Sequence, residues 1–314
     1  MGVNYGRNGD NLPSPADTIR LYEKCQINFI RIYEPNHQVL EALRGKPILL
    51  SLGVKNEDLQ GLASDPSAAD QWIKDNVSPY ISDVNIEFIT LGNEVIPGPQ
   101  SQYVAGAINN TLTALNNARF IKGIKVTTVV GSNALASSYP PSAGAFTDEA
   151  ASAFRDIAPI LSQRGSPIMV NVYPYFAYAN DPEHISSDYA LFTAKHTIVD
   201  DGDYKYRNLF DAMVDSFVAA FEKVGAAEIA VDVAESGWPS GGNEPFTTVE
   251  NARTYNKNLM DHVLGGSGTP RRPNKRFNVF LFEMFNENLK AAGAEQNFGF
   301  FNPSMQPVYP FWPC

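Results

Sequence analysis

Eight short apolar stretches, separated by stretches with helical periodicity, constrain this chain more than any other feature. They fall at residues 2–6, 29–33, 48–53, 87–95, 125–131, 168–173, 228–235 and 278–287. Strands that are apolar nearly throughout and are joined by helices belong to parallel sheets covered on both faces. Eight such alternations favour a closed α/β TIM barrel, (β/α)8, over an open doubly wound sheet. With 314 residues, 44% of them hydrophobic, the chain can supply that core, and residues 1–314 read as a single barrel domain. Two smaller α/β domains are the alternative. No flexible linker and no repeat beyond the alternation support such a division.

Helix signals fill the gaps. Ser14-Pro15-Ala16-Asp17 combines a capping hydroxyl, a proline at the first helical position and an acid two residues further on. Further helices are expected over residues 36–43, 68–80 and 148–161, and from a cap at Ser101, where Val104, Ile108, Leu112 and Leu115 mark one buried face. Another carries Phe210, Met213, Val214, Phe217 and Phe221, and Thr247 with Glu250 reads as a capping box for a helix to about residue 263. Residues 174–207 are polar, weakly periodic and longer than an ordinary connection, so they read as a loop subdomain elaborating the face after strand six. Residues 265–273 read as a surface loop with a solvated positive cluster, and the aromatic, proline-rich tail through Pro310-Phe311-Trp312-Pro313-Cys314 as a cover for the barrel.

Two of the strands end in the same way. Glu87-Phe88-Ile89-Thr90-Leu91-Gly92-Asn93-Glu94 delivers an amide and a carboxylate before the breakers Pro97, Gly98 and Pro99. Glu228-Ile229-Ala230-Val231-Asp232-Val233-Ala234-Glu235 delivers a second carboxylate before Ser236-Gly237-Trp238-Pro239. An interior strand gains nothing structurally from a charge at its tip, because a buried uncompensated charge is costly. In a parallel barrel both tips converge on one face, where such folds build their sites. Two carboxyl groups held in different protonation states are the means of acetal hydrolysis, so Glu94 is assigned as general acid/base and Glu235 as nucleophile. Asn93 can donate to a sugar hydroxyl or to the opposing carboxylate without adding charge.

Composition narrows the partners. The balance of 24 Lys and Arg against 34 Asp and Glu, a net charge of −10, disfavours nucleic acid and fits a neutral ligand. No apolar run is long enough for a membrane-spanning helix. His37, His184, His196 and His262 lack metal-ligand spacing, and Tyr5-Gly6-Arg7-Asn8-Gly9 is not a full dinucleotide fingerprint, so neither metal nor cofactor is expected. Met1-Gly2-Val3 opens directly on strand-like sequence without a signal peptide, which suits either a mature chain with an added Met or a cytoplasmic one. Cys25 reads as a small hydrophobe packing a helix on the barrel, and a closed barrel also allows a Cys25–Cys314 bridge. Two sequons, Asn76-Val77-Ser78 and Asn109-Asn110-Thr111, have little weight, the second lying within an expected helix.

Taken together and in order, several motifs resemble the family 17 glycoside hydrolases of the plant β-1,3-glucanase type. They are Gly2-Val3-Asn4-Tyr5-Gly6, Arg31-Ile32-Tyr33, Leu43-Arg44-Gly45, Gly92-Asn93-Glu94-Val95, Asn171-Val172-Tyr173-Pro174-Tyr175, Glu235-Ser236-Gly237-Trp238-Pro239-Ser240, Phe285-Asn286-Glu287-Asn288 and Phe298-Gly299-Phe300-Phe301. The resemblance implies a (β/α)8 barrel with its acid at Glu94 and nucleophile at Glu235, and a retaining endo-β-1,3-glucanase. It also implies polar site roles for Glu287, Lys290 and Glu295, although one residue fewer than usual separates the last two. Ser236 stands where that family commonly has threonine. Glu283 stands where Ala or Ser is frequent; strict strand alternation turns Glu283 and Glu287 the same way, with Glu283 lower in the barrel beside Arg31, as an ion pair or a tuner of Glu235.

Tyr33, Tyr173, Tyr175, Phe176 and Trp238 lie on or just past strand tips, where rings can pack on pyranose faces. Tyr33, Tyr175 and Phe176 are expected to face the cleft, with Tyr173 and Trp238 divided evenly between cleft and core. Arg31 reads as a satisfied interior charge that orients a carboxylate, and Asn171 as a donor near the cleft. The resemblance places the protein in an extracellular, cell-wall or vacuolar plant setting, in defence or wall remodelling, as a monomer acting on β-glucan. The alternatives are a mixed-linkage β-1,3-1,4-glucanase and a non-catalytic glucan-binding wall protein.

Overall fold

The computed structural model describes residues 1–120, 123–312 and 314, so Pro313 of the expected tail cover lies outside the described residues. Eight parallel strands close into a barrel: β1 (Gly2–Asn4), β2 (Phe29–Ile32), β3 (Leu49–Val54), β4 (Asn85–Asn93), β5 (Lys125–Val130), β6 (Ile168–Asn171), β7 (Val231–Ser236) and β8 (Val279–Leu281). Closure is made by β1, which pairs Val3 with Ile30 on one side and with Leu281 on the other. Inside the barrel Phe29, Phe88, Val129, Met169, Ala234 and Phe280 form one apolar layer, with Phe29 set edge-on to Phe280 at 4.6 Å. All six of these side chains are buried. A larger apolar cluster fills the space between strands and helices.

Local chemistry explains most helix starts. Ser14 caps the helix Pro15–Lys24 by accepting from the Asp17 N–H, and Asn36, Thr147 and Asn208 cap the helices His37–Ala42, Asp148–Gln163 and Leu209–Lys223 in the same way. Three boundaries differ from the sequence expectation. The helix expected over residues 68–80 runs from Pro66 to Asn76, capped by Asp65, and a further short helix, Leu59–Ser64, precedes it. Ser101 is the first residue of its helix and not its cap. Thr248, one residue later than expected, caps Val249–Gly265, while the Thr247 hydroxyl accepts from the Asn243 N–H inside the preceding turn.

The 174–207 stretch contains two short helices, Pro174–Asn180 and Ser187–Ala190, and a hairpin pairing Val199–Asp201 with Tyr204–Tyr206. Buried Asp215 ties that hairpin to a second one, Gly268–Thr269 with Arg272–Pro273, by accepting from Tyr206, Thr269 and the Arg271 backbone. The positive cluster expected to be solvated there is instead anchored: Arg271 and Arg272 both meet Glu222. Cys25 and Cys314 form a disulfide, so Cys25 serves as more than a packing residue. The tail packs Phe311 and Trp312 on Phe300. Among the described residues, no helix is long and apolar enough to cross a membrane.

Candidate active site

Bulges set the two carboxylates. Along β7, Val233 pairs with Val170 and Glu235 with Asn171, leaving Ala234 as an extra residue. Strict alternation would turn Ala234 and Glu235 to opposite faces. The bulge instead lets Ala234 fill the barrel layer while the Glu235 side chain also reaches the interior side. On β4 the pairing with β5 slips between Thr90 and Asn93, and Glu94 then takes a left-handed φ of 56° with its N–H on the Val129 carbonyl. That conformation costs a non-glycine residue on the order of 1–3 kcal/mol, supplied by the surrounding fold.

Glu235 is 7% exposed and receives three donors. Arg31 Nη1 lies 2.8 Å and the Tyr33 hydroxyl 3.0 Å from Oε1, and the Tyr173 hydroxyl lies 2.8 Å from Oε2. Arg31 is itself buried, sits over the Tyr33 ring at 4.4 Å and donates through Nη2 to Asn93 Oδ1 at 2.8 Å. The negative form of Glu235 satisfies every one of these donors. Both tyrosine hydroxyls are held neutral, first by burial and then by the adjacent Glu235 charge, which push them well above the ordinary phenol range.

Glu94 is treated differently. Among the described residues its side-chain donor is Asn171 Nδ2, 2.9 Å from Oε1, and it packs so closely on Gly131 that an added Cβ there would meet Oε1 at 2.9 Å. The residue is exposed by surface area, as befits the lip of an open groove, while Asn171 and Gly131 close in on its Oε1. Desolvation, followed by the Glu235 charge, raises it above the ordinary carboxyl range, against the opposing pull of Asn171 and Arg31. Glu295, from the turn Ala294–Asn297, adds a further negative charge on this side. The two carboxyls are thus set apart: Glu94 is biased toward its protonated form, while Glu235 is held by three donors.

The groove has two lobes that meet at Glu235 and Phe282. One, of about 560 Å³, is lined by Glu94, Asn171, Tyr173, Phe176, Glu295 and Phe298. The other, of about 420 Å³, is lined by Tyr5, Tyr33, Asn93, Glu287 and Lys290. A larger hollow of about 790 Å³ between the helices Ser101–Ala118 and Asp148–Gln163 contains neither strand-tip carboxylate, so its size does not make it the site.

Several expected positions differ. Trp238 is fully buried, donates Nε1–H to the Phe246 carbonyl and packs between Tyr175 and Tyr255. Tyr175, expected at the cleft, is 2% exposed; its hydroxyl accepts from Asn243 while its ring supports Phe176 and Phe298. Phe176 is 38% exposed and does reach the groove. Glu283 does not pair with Arg31: β8 ends at Leu281, so alternation cannot be extended beyond it, and the Glu283 carboxyl meets Lys290 at 3.0 Å. Lys290 also contacts Glu287 at 3.0 Å, and Glu287 accepts from the Asn8 N–H.

Asn56, Phe282 and Phe298 were not singled out from sequence. Asn56 clamps the Asn93 backbone, accepting from its N–H and donating to its carbonyl, which fixes the residue before Glu94. An amide just past the β3 tip was the available signal for it. Phe298 lay in a quoted motif with no role attached. Among the described residues, no cluster of three or more His, Cys, Asp or Glu side chains is arranged to hold a metal.

Comparison with known proteins agrees with this geometry. A probable glucan endo-1,3-beta-glucosidase of Arabidopsis thaliana is 50% identical over 311 residues, 98% of this chain and 90% of the relative. A beta-1,3-glucanase and pollen allergen of Cryptomeria japonica superposes with a TM-score of 0.94 at 44% identity, covering 100% of this chain and 99% of its own. A structure from a study of two plant beta-glucan endohydrolases with distinct substrate specificities has the same TM-score at 42% identity, with 99% of each chain covered. The profile of the glycosyl hydrolases family 17 matches residues 1–311, nearly the entire barrel with both bulged strands, and the chain belongs to that family.

Proposed function

We propose that the protein is a retaining endo-β-1,3-glucanase in which Glu94 is the general acid/base and Glu235 the nucleophile. The observation that carries the assignment is the asymmetry of the two carboxyls: three donors on Glu235, and a crowded Glu94 raised by desolvation and by the Glu235 charge. The β-1,3 preference rests on the names of the full-length relatives.

A glucan chain would cross Glu235, with its leaving portion in the lobe containing Glu94 and its glycosyl portion in the lobe containing Tyr33. A Glu235 oxygen attacks the anomeric carbon as Glu94 gives its proton to the glycosidic oxygen, so that bond breaks and a glycosyl ester forms. Water then attacks the same carbon and gives a proton back to Glu94, which restores both carboxyls. Arg31, Tyr33 and Tyr173 hold Glu235 in place for the attack. Asn171 orients Glu94, and Phe176 offers a ring face to a sugar on the leaving side. The groove's two open lobes suit attack within a chain. The disulfide and the absence of an exposed free thiol among the described residues support an oxidising compartment, extracellular or vacuolar, and a monomer is the proposed state.

The test is an NMR time course on laminarin with mixed-linkage β-glucan beside it. Early release of the β-anomer from laminarin is expected. Early α-anomer would overturn the retaining assignment, and preference for the mixed polymer would replace the β-1,3 reading.

A further inference from the structure

The lobe on the Tyr33 side contains a group that the hydrolysis just described does not use. Glu283 is completely buried, and its backbone is clamped by the 298–300 segment through the Glu283 N–H to the Phe298 carbonyl and the Phe300 N–H to the Glu283 carbonyl. Its Oε1 accepts from Lys290 Nζ at 3.0 Å. Its Oε2 turns toward Gly6, where an added Cβ would lie 2.3 Å from it and 2.6 Å from Glu287 Oε1. The absence of a side chain at Gly6 is what allows the two acids to converge. Among the described residues neither Glu283 Oε2 nor Glu287 Oε2 has a hydrogen-bond donor, although the second lies in ion-pair contact with Lys290.

Two buried carboxyls that converge beside a single ammonium oppose each other's ionisation, and a proton kept on one can be shared with the other. Burial comes first among the causes that push Glu283 well up, with the Glu287 charge and a hydrogen bond to Glu287 acting in the same direction against Lys290. Lys290 in turn lies 4.0 Å from the centroid of the Phe282 ring, the residue shared by both lobes. Its ammonium stays charged because the two acids outweigh the effect of its burial.

We propose that Glu283 is a positioning residue for this lobe: as a neutral acid it accepts from Lys290 and donates to Glu287, fixing the ammonium and the Glu287 carboxylate to receive hydroxyls of the glycosyl unit. Its role is to set binding on the Tyr33 side of Glu235 and not to move a proton in the reaction, and it rests on the glucanase reading above. Glutamine reproduces such an acid, with a carbonyl toward Lys290 and an amide N–H toward Glu287.

The experiment compares the parent protein with Glu283→Gln and Glu283→Ala on laminarin, together with the infrared carbonyl band of protonated carboxyls at neutral pH. Glu283→Gln is expected to keep KM within about twofold of the parent and to lose a protonated-carboxyl band. Glu283→Ala is expected to raise KM by about tenfold, the scale of one lost charge-assisted contact, with kcat changed by less than about threefold. Glutamine failing as badly as alanine would overturn the proposal in favour of a required charge. Unchanged KM in alanine, a parallel fall of kcat and Tm in both variants, or a band that survives in the glutamine variant would each overturn it as well. A parent that does not turn over laminarin refutes the functional reading, and the infrared comparison then still decides whether Glu283 is the neutral acid.

Discussion

Replacing Arg31 with methionine isolates the interaction on which the site is built. Arg31 Nη1 and Glu235 Oε1 are 2.8 Å apart, with side chains 1% and 9% exposed, so the pair is screened little by water. Removing one member of a buried pair leaves an uncompensated charge, at a cost of about 3–5 kcal/mol. Tyr33 and Tyr173 remain on Glu235, and Asn93 Oδ1 loses its donor. Against a total stability of roughly 5–15 kcal/mol the loss is large, and Tm should fall by on the order of 10 °C. The decisive variant is the double substitution Arg31→Met with Glu235→Gln, which removes the stranded charge. Urea or thermal unfolding should show the double variant recovering at least about 1 kcal/mol relative to Arg31→Met, the sign of direct coupling. A double variant no more stable than the single one would refute the reasoning, because the damage would then come from lost packing of the guanidinium over Tyr33 and not from charge.

Glu94→Gln should reduce laminarin turnover by about 10²–10⁴-fold while an activated aryl glucoside with a good leaving group loses far less, as measured by steady-state kinetics. Because burial and Glu235 raise Glu94 and the protonated form is the acid, kcat/KM in the parent should fall as pH rises through that elevated value, and this alkaline limb should vanish in the glutamine variant. His262, 2.8 Å from Asp211, is lowered by burial but raised on balance by that carboxylate, so its stabilising contribution is complete below about pH 6.5 and is lost as pH rises through its folded value. Replacing His262 with Ala should accordingly flatten that portion of the Tm-against-pH curve. Cys314→Ser opens a link spanning 289 residues of chain and should lower stability by about 2–5 kcal/mol in denaturant titrations, with kcat within about twofold of the parent, since Cys25 ends a helix on the side away from the strand tips.

The barrel was legible because its signals are local. Each of β1 to β8 is a short apolar run, and caps such as Ser14 act within three residues of their own position. The two strand-tip glutamates stood out for the same reason, a charge where burial forbids one without compensation. Tyr175 and Trp238 were harder to place, since an aromatic just past a strand tip can lean into the groove or under it. The choice was made by Asn243, 68 residues from Tyr175, and by the turn after β7 that brings the Phe246 carbonyl back onto Trp238. The Glu283 pairing was misjudged because alternation ends where β8 does, at Leu281.

The sequence by itself determined the fold class and the placing of Glu94 and Glu235 at two strand tips of one face, because periodicity and the cost of buried charge act residue by residue. Only the tertiary structure decided how those two acids differ. Arg31, Tyr33 and Tyr173 reach Glu235 from 204, 202 and 62 residues away, and the bulge at Ala234 that turns it inward depends on its register with β6. The meeting of Glu283 with Glu287 at Gly6 likewise exists only because closure of the barrel brings β1 against β8. Protonation state is set by what surrounds a group in space, and that neighbourhood comes into being only when the barrel closes.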